Sequence, residues 1–329
     1  MRCAIRIVSL LPSATEIVYA LGLDEQLVGV SHQCDYPPAV RRKPVLTSGR
    51  SKDDTLSSAQ VDDLVRAAHP KGEEHSSPFR LDPEALRAAA PDLVLTQELC
   101  EVCALGSGGV FEMVARVLSR QPQIISLRAP TLEGVLAEIL QVGAAAGVER
   151  RARRLVAAMR GRLGRIAERV GDAPHPRVLM LEWPDPPWCA GHWMADVARA
   201  AGGEDVFAQP GQRSRRLSWD EVAASGAEVV ALMPCSYGIE RSVQEASALA
   251  LRTEMRRLPA LQHGRFYALD GTVTSRHGAR VVEVVEALAS AFHPERCGAW
   301  AAPTLVQRVT ALPNAAQAVR GGLPPPAPL

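Results

Sequence analysis

Short apolar runs alternate with helical segments along most of this chain. The runs "IRIVSLL" (5–11), "LVGVS" (27–31) and "DLVLT" (92–96) are short and nearly continuous, and segments with apolar residues at helical spacing lie between them. Such alternation is typical of parallel βα units, in which a helix returns the chain to the start of the sheet after each strand. The pattern therefore predicts an α/β fold with mostly parallel central sheets.

A short motif after the first predicted strand has the spacing of a capping box. Ser13 precedes Glu16 by three positions, and the helix "ATEIVYALG" that they would open ends at Gly22. In a capping box the serine and glutamate side chains accept hydrogen bonds from the first backbone N–H groups of the helix. We therefore expect both side chains to act within this one helix.

The second half of the chain repeats the order of the first. The segments "LRAAAPDLVLTQ" (86–97) and "VAASGAEVVALMP" (222–234) each run from a short helix through a breaker into an apolar strand. Between the halves, apolar residues recur at helical spacing with arginines on the other faces, which predicts a helix of roughly 30 Å. We therefore predict an N-terminal α/β lobe (1–147), a linking helix (148–172), a C-terminal α/β lobe (173–298) and a disordered Ala- and Pro-rich tail (299–329).

The composition is that of an ordinary soluble globular protein. Of the 329 residues, 47% are hydrophobic and 22% are charged, and the formal net charge of +1 gives no global field that favours nucleic acid or an acidic membrane as a partner. No apolar run approaches the ~18 residues of a membrane-spanning helix, so no membrane insertion is expected. Arg6 and Pro12 interrupt the apolar N-terminal stretch, which therefore does not read as a signal peptide. The chain as given is predicted to be cytoplasmic, or extracytoplasmic if a leader was removed.

Several common sequence motifs are missing. The chain contains no GxxxxGK[ST], no strand-linked GxGxxG and no GxSxG, which argues against nucleotide hydrolysis, dinucleotide binding and serine hydrolysis. Seven cysteines, an odd number in a long chain, do not suggest a disulfide framework. The arginine-rich runs "ERRARRL" and "RSRRL" are expected to be solvated faces, with a phosphate site as the alternative.

Candidate ligand-binding residues follow the ends of the predicted strands. In open α/β sheets ligands bind at the carboxyl ends of the strands, where successive loops meet. Three of the five tryptophans lie between positions 183 and 193, and aromatic faces offer a flat ligand a large apolar contact, although they could equally pack the surface of their own lobe. The predicted ligand-binding residues are Cys34, Asp35, Tyr36, Gln97, Glu98, Cys100, Trp183, Asp185, Trp188, His192, Cys235, Tyr237, Asp270, Arg276 and His277.

The CxxC pair in "TQELCEVCAL" allows four interpretations. With His32 and Cys34, the thiols of Cys100 and Cys103 offer a Cys₃His set that suits Zn²⁺ or an Fe–S cluster. The two cysteines could instead be small buried residues at a loop turn, or a thiolate could contact the metal of a bound ligand directly. A redox pair is the weakest interpretation, because a thioredoxin-like CxxC begins a helix in a different context.

Five stretches in order carry a resemblance to a known family: "RIVSLLPSATEIVYALGLDEQLVGVSHQCDYP", "PDLVLTQELCEVCA", "LEWPDPPWCAGHW", "GGEDVF" and "LSWDEV". They resemble the cobalamin-type substrate-binding proteins of ABC transporters, the class that binds vitamin B12 and Fe³⁺-siderophores. The resemblance covers roughly residues 5 to 298. The opening SLxPSxTE is common to the class, whereas HxCDYP and CEVCA resemble a narrower branch.

The resemblance implies an architecture and a role. The fold would be class III periplasmic-binding-protein-like, with two Rossmann-like lobes joined by a long helix and a ligand-binding cleft between them. The ligand would be cobalamin or a related corrinoid or metal complex, the partners an ABC permease and its ATPase, and the protein would not be an enzyme. The chain departs from the branch at Arg276-His277-Gly278-Ala279-Arg280, where a proline near His277 is usual. The absence of this proline makes the turn less rigid, and His277 adds a side chain that could bind a ligand at the edge of the cleft.

The alternative function is that of a metal-binding or chelatase-like cytosolic protein that uses cysteine and histidine side chains of the cleft. Insertion of a metal into a tetrapyrrole needs a general base near the bound ring. The residues that could supply one are His32, Glu98, Glu101, His192 and His277.

Overall fold

The computed structural model describes residues 4–49, 55–68, 80–97 and 107–310. The strands are β1 (Ile7–Ser9), β2 (Leu27–Val30), β3 (Thr47–Ser48), β4 (Arg80–Leu81), β5 (Leu93–Gln97), β6 (Gln123–Leu127), β7 (Arg177–Trp183), β8 (Trp188–Cys189), β9 (Glu204–Asp205), β10 (Arg215–Arg216), β11 (Val229–Leu232), β12 (Phe266–Leu269) and β13 (Val306–Arg308). The α-helices are α1 (Pro12–Ala20), α2 (Ser58–Ala68), α3 (Pro83–Ala89), α4 (Ser107–Val117), α5 (Leu132–Ala145), α6 (Glu149–Val170), α7 (Met194–Ala200), α8 (Trp219–Ala224), α9 (Ile239–Leu249), α10 (Thr253–Arg256), α11 (Pro259–Gln262), α12 (Gly271–Thr274), α13 (Val281–Phe292) and α14 (Pro294–Cys297).

The first lobe is built on a parallel sheet with the strand order β2-β1-β5-β6. Ile7 of the central strand pairs with Leu27 on one side and with Leu93 on the other. These strands are almost wholly buried, which is why each reads in the sequence as a continuous apolar run rather than as an alternation. The predicted α/β fold is confirmed in this half of the chain.

The second lobe contains a larger mixed sheet with the order β10-β8-β7-β11-β12-β13, and β9 also pairs with β7. Its centre is parallel, since β11 runs parallel to both β7 and β12. Its outer strands β8, β10 and β13 pair antiparallel to their neighbours. The parallel centre sends β7, β11 and β12 towards the same edge, where their following loops meet.

One hydrophobic core connects the two sheets. It extends from Ile7 in β1 through α5 and α6 to Val229 in β11. Helix α6 buries Ala152, Val156 and Ile166 on one side and exposes arginines on the other. Helices α5 and α6 pack so closely that a Cβ added to Gly143 would lie 2.3 Å from the Cβ of Ala152. Within the described residues, no helix is both long and apolar enough to cross a membrane.

The predicted capping box at Ser13 and Glu16 is wrong. Helix α1 begins at Pro12, its N-cap residue is Leu11, and no side chain caps it. Proline fits the first helical position because it has no N–H to satisfy there, so the helix starts earlier than the motif suggested. Ser13 and Glu16 therefore lie inside the helix, and both contact the second lobe.

The predicted disorder of the tail is wrong for its first part. Residues 306–308 form β13, which pairs antiparallel with β12 through Leu269 and Val306. Leu305 and Val306 are buried, so this short apolar segment gains enough contact to be ordered despite its Ala- and Pro-rich surroundings. Residues 311–329 lie outside the described part of the chain.

Candidate ligand cleft between the lobes

The strand ends of the first lobe bring Cys34 into a polar cluster rather than into open space. Its sulfur lies 3.1 Å from the hydroxyl of Thr15, which in turn donates a hydrogen bond to the Ser9 hydroxyl. Cys34 is 8% exposed, and its backbone N–H donates to the carbonyl of Ser31. Burial raises the pKa of the Cys34 thiol to about 11. At neutral pH this side chain is therefore a thiol and a hydrogen-bonding core residue.

Of the predicted metal set, only His32 and Cys34 lie among the described residues. No group of three or more His, Cys, Asp and Glu side chains could hold an ion in the described part of the chain. The Nδ1 atom of His32 lies 2.7 Å from the hydroxyl of Thr47, and the sulfur of Cys34 lies 3.1 Å from the hydroxyl of Thr15. A thiolate ligand must lose its proton, which the burial of Cys34 opposes. Glu98, Cys100, Glu101 and Cys103, the other predicted members of this loop, lie outside the described residues.

The strand ends of the second lobe carry an aromatic pair. The rings of Trp183, at the end of β7, and Tyr237, after β11, lie 5.2 Å apart at an angle of 50°. The guanidinium of Arg241 lies 5.1 Å from the centre of the Tyr237 ring. All three side chains are half-buried. We call Trp183, Tyr237 and Arg241 the aromatic platform.

Backbone contacts hold the loops beneath the aromatic platform together. The N–H of Cys235 donates to the carbonyl of Glu182 at 3.1 Å, which links the loop after β11 to the end of β7. Gly271, after β12, approaches the loop after β11 so closely that an added Cβ would lie 1.7 Å from the carbonyl oxygen of Pro234. Three predicted site loops therefore meet at one edge of the second sheet.

The aromatic platform also contacts the first lobe. The indole N–H of Trp183 donates to the carbonyl of Ser58 at 3.2 Å, and Arg241 donates to the carbonyl of Leu56 at 2.9 Å. The hydroxyl of Ser58 donates to Glu245 at 3.3 Å. The start of α2 and the platform therefore face each other across the gap between the lobes.

A buried carboxylate joins the lobes at a second place. Glu16 of α1 accepts hydrogen bonds from Arg276 at 2.8 Å and from two nitrogens of Arg280 at 2.6 and 2.8 Å. Arg276 also forms an ion pair with Asp35 at 2.7 Å, and Arg280 lies over the Tyr36 ring at 3.9 Å from its centre. The predicted residues Asp35, Tyr36 and Arg276 are thus brought together. Sequence reasoning missed this role of Glu16 and Arg280, because Glu16 was considered only as half of a capping box.

His277 does not lie at the cleft edge that the sequence suggested. Its side chain is 2% exposed, with Nδ1 3.5 Å from the Ser13 hydroxyl and its ring 5.1 Å from that of Trp193. Gly278 follows it, and an added Cβ there would lie 3.1 Å from the Ser13 carbonyl oxygen. The close approach of this glycine turn to α1 pushes His277 into the junction of the lobes.

The remaining predicted residues differ in their burial and in their contacts. Trp188 is half-buried and pairs with Trp183 across β7 and β8. Asp270 caps α12 by accepting hydrogen bonds from the N–H and hydroxyl of Thr272. Gln97 is buried at the end of β5, while Asp185 and His192 are half-buried. Burial and the charge of Arg213 lower the pKa of His192.

A cavity of about 590 Å³ lies beside the Glu16 cluster. Its lining joins the loop of the first lobe at Asp35 and Tyr36 to Arg276, Arg280 and Trp300. The aromatic platform does not line this cavity. The charges of its lining balance, with four arginines and four acids: Arg41, Arg162, Arg276, Arg280, Asp35, Asp270, Glu283 and Glu286.

Comparison with known proteins identifies the family. The "Periplasmic binding protein" family matches residues 7–273. An ABC transporter substrate-binding lipoprotein of Bacillus subtilis is 24% identical, over 88% of this chain and 80% of its own length. A cobalamin-binding protein of Halobacterium salinarum is also 24% identical, over 88% of this chain and 69% of its own length. A periplasmic heme-binding protein of Roseiflexus is 25% identical, with a TM-score of 0.66 over 89% of this chain and 99% of that structure. The chain belongs to the periplasmic binding protein family and is a two-lobed substrate-binding protein of the ABC-transporter type.

Proposed function

We propose that this chain binds cobalamin or a related corrinoid between its lobes and delivers it to an ABC permease. Relatives named for cobalamin or vitamin B12 binding support the corrinoid, whereas solved structures named for heme binding support heme as the second candidate. Both ligands are metal-bearing macrocycles with a conjugated and roughly flat centre, which is the chemistry that they share. Because the relatives include a lipoprotein and periplasmic proteins, we propose that the protein acts outside the cytoplasm, in contrast to the cytoplasmic location that the sequence suggested.

The observation that carries the proposal is the aromatic platform. Trp183 and Tyr237 stand at the carboxyl ends of neighbouring parallel strands and face the start of α2 in the other lobe. Half-buried aromatic rings offer a planar ligand a broad contact at little entropic cost. The hydrogen bond from Trp183 to Ser58 spans the gap that such a ligand would enter. We therefore propose that this contact opens when the ligand binds.

We further propose that the periphery of the ligand reaches from the aromatic platform into the cavity beside the Glu16 cluster, where the balanced charges favour the corrinoid over heme. Arg162, Arg276 and Arg280 are each bonded to a carboxylate, and Arg41 alone among these arginines has no carboxylate within 4 Å in the described residues. A heme has two carboxylates, which would require free cations, whereas the peripheral amides of a corrinoid need only hydrogen-bonding partners. The lining of the cavity suits neutral, amide-bearing groups.

Titration calorimetry and absorption spectroscopy with cyanocobalamin, hydroxocobalamin and hemin test this proposal. Trp183→Ala and Tyr237→Ala should each weaken binding about tenfold, since an aromatic contact contributes about 1 kcal/mol or more. Trp219→Ala is the matched control, because Trp219 begins α8, packs its ring under Arg252 and is not part of the aromatic platform. Neither heat nor a spectral change with any of the three ligands at ~100 µM would contradict the proposal. Tighter binding of hemin than of both cobalamins would assign the cleft to heme.

A further inference from the structure

A buried glutamate and a buried histidine face each other where the lobes meet. The Oε2 atom of Glu138, on α5 of the first lobe, lies 3.9 Å from Nε2 of His277 in the second lobe. Both atoms are inaccessible, and neither has a hydrogen-bond partner among the described residues. The other carboxyl oxygen of Glu138 accepts the backbone N–H groups of Arg128 and Ala129, which fixes the orientation of the carboxyl group. Two polar atoms without partners at one buried point are costly unless they satisfy each other.

We propose that Glu138 and His277 share a proton across the lobe junction, and that loss of this proton reverses the hydrogen bonds through His277 and loosens the contact between the lobes. When Glu138 is protonated, its Oε2–H donates to Nε2, and the Nδ1–H of His277 donates to the Ser13 hydroxyl. When the proton leaves to solvent, His277 carries its hydrogen on Nε2 and donates it to the carboxylate. The Ser13 hydroxyl then donates to Nδ1.

The geometry permits both arrangements. The separations of 3.9 Å to Glu138 and 3.5 Å to Ser13 exceed an ordinary hydrogen bond, so each closes with a shift of about 1 Å or less. The ring of Trp193 packs against the His277 ring, with their centres 5.1 Å apart at an angle of 47°. Only the protonated arrangement is free of net charge, and burial penalises a charged carboxylate more than a neutral carboxylic acid. The deprotonated junction is therefore the weaker one.

Burial outweighs the groups that favour the Glu138 carboxylate, which are the backbone N–H groups of Arg128 and Ala129 and the charge of Arg128. Burial raises the pKa of Glu138 to about 7 and lowers that of His277 to about 4. The pair is thus neutral in weakly acidic solution and loses its proton near pH 7. The charged and titratable side chains around it are Arg128 before α5, His192 and Arg213 of the second lobe, Asp196 on α7, and the Glu16 cluster with Arg276 and Arg280.

A hydrogen bond at the start of α5 can report how strongly the two lobes are held together. The backbone N–H of Leu132, at the start of α5, donates to Asp196 on α7 of the second lobe at 3.1 Å. Protection of this amide from hydrogen exchange measures how firmly the lobes hold together at the end of the helix that carries Glu138. This readout needs no ligand, so its outcome is independent of the proposed function.

Nuclear magnetic resonance of the histidine ring nitrogens tests the proposal directly. Between pH 5.5 and 8.5, Nε2 of His277 should change from an unprotonated to a protonated nitrogen, with Nδ1 changing in the opposite sense. In Glu138→Gln the change should disappear, because the amide oxygen must accept from Arg128 and Ala129 and the NH₂ group then donates to Nε2 at every pH. Glu133→Gln, on the exposed side of the same helix, should retain the change.

The same samples give the exchange measurement. The protection factor of the Leu132 amide should fall at least threefold from pH 5.5 to 8.5 in the unmodified protein and stay constant in Glu138→Gln. Ring nitrogens that do not change, or that change equally in Glu138→Gln, overturn the shared proton. A constant protection factor in the unmodified protein overturns the effect on the lobes. If Glu138→Gln does not fold, the Glu138 carboxyl carbon of the unmodified protein must titrate together with the His277 ring nitrogens, and separate midpoints overturn the proposal.

Discussion

Glu16 and Arg280 form a bidentate pair across the two lobes. Two guanidinium nitrogens of Arg280 donate to the two carboxylate oxygens of Glu16 at 2.6 and 2.8 Å, and the Glu16 side chain is only 2% exposed. Arg276 adds a third bond to the same carboxylate and extends to Asp35. Glu16 of α1 therefore anchors the turn that precedes α13. The anchor also holds Tyr36, through its contact with Arg280, at the mouth of the neighbouring cavity.

Glu16→Gln should destabilise the protein by about 3 kcal/mol, because it leaves the largely buried Arg280 guanidinium without its counter-charge and removes one of the two carboxylates that Arg276 contacts. Urea denaturation followed by circular dichroism measures the change in the free energy of unfolding. Glu133→Gln is the control, since the pair of Glu133 with Arg160 is exposed and should contribute less than about 1 kcal/mol. Equal losses in the two variants would show that the buried pair does not stabilise the lobe contact.

The stability of the protein should respond to pH through Glu138 and His277 in opposite directions. The pKa of Glu138 is raised from 4.5 to about 7, so its contribution is present below pH 4.5 and is lost as the pH rises through about 7. The pKa of His277 is lowered from 6.5 to about 4, so its contribution is present above pH 6.5 and is lost as the pH falls through about 4. Between about pH 4.5 and 6.5, the decrease in stability with pH that comes from Glu138 and the increase that comes from His277 offset each other.

Glu138→Gln removes the contribution of Glu138 to this pH dependence. The unfolding free energy is measured for the variant and for the unmodified protein at pH 5 and at pH 8. From pH 5 to pH 8, the value for the variant should rise relative to that of the unmodified protein by on the order of 2 kcal/mol. Thermal unfolding across this range provides a second measurement. If the difference in unfolding free energy between the two proteins is the same at every pH, Glu138 titrates in the folded protein as it does in the unfolded chain.

Cys34 should resist alkylation in the folded protein. A pKa of about 11 instead of 9 reduces the thiolate fraction roughly a hundredfold at pH 8, and burial reduces access further. Iodoacetamide labelling with mass-spectrometric mapping, in buffer and in urea, gives the ratio of the two rates. Folded-state labelling of Cys34 within tenfold of the rate in urea would contradict its place in the core.

The effect on stability of replacing glycine by alanine should follow the space around each of three glycines. Gly271→Ala should destabilise by about 3 kcal/mol or more, since the added Cβ would lie 1.7 Å from the Pro234 carbonyl oxygen. Gly278→Ala should cost about 1 kcal/mol, because the Ser13 oxygen at 3.1 Å can shift slightly. Gly164→Ala, within α6 and with nothing nearby, should stabilise by about 0.5–1 kcal/mol. Thermal unfolding of the three variants side by side checks this order.

Part of the fold was accessible from local pattern alone. The parallel strands of both sheets are short apolar runs between helices, and burial on both faces requires such runs wherever they occur in a chain. Helix α6 was equally clear, because its buried and arginine-bearing faces alternate at helical spacing. The meeting of the loops after β7, β11 and β12 followed from the rule that parallel strands end at one edge of a sheet.

The lobe contacts were decided by tertiary structure. Ser13 and Glu16 have the spacing of a local cap, yet their partners His277 and Arg280 each lie 264 positions away. The short strand β13 depends on β12, which precedes it by some 40 residues and supplies the hydrogen bonds that the tail alone cannot make. Sequence spacing determines which side chains share a helix face or a strand edge. Only the packing of the two lobes determines which buried charge meets which partner, because a carboxylate is satisfied by any cation that the fold brings within reach.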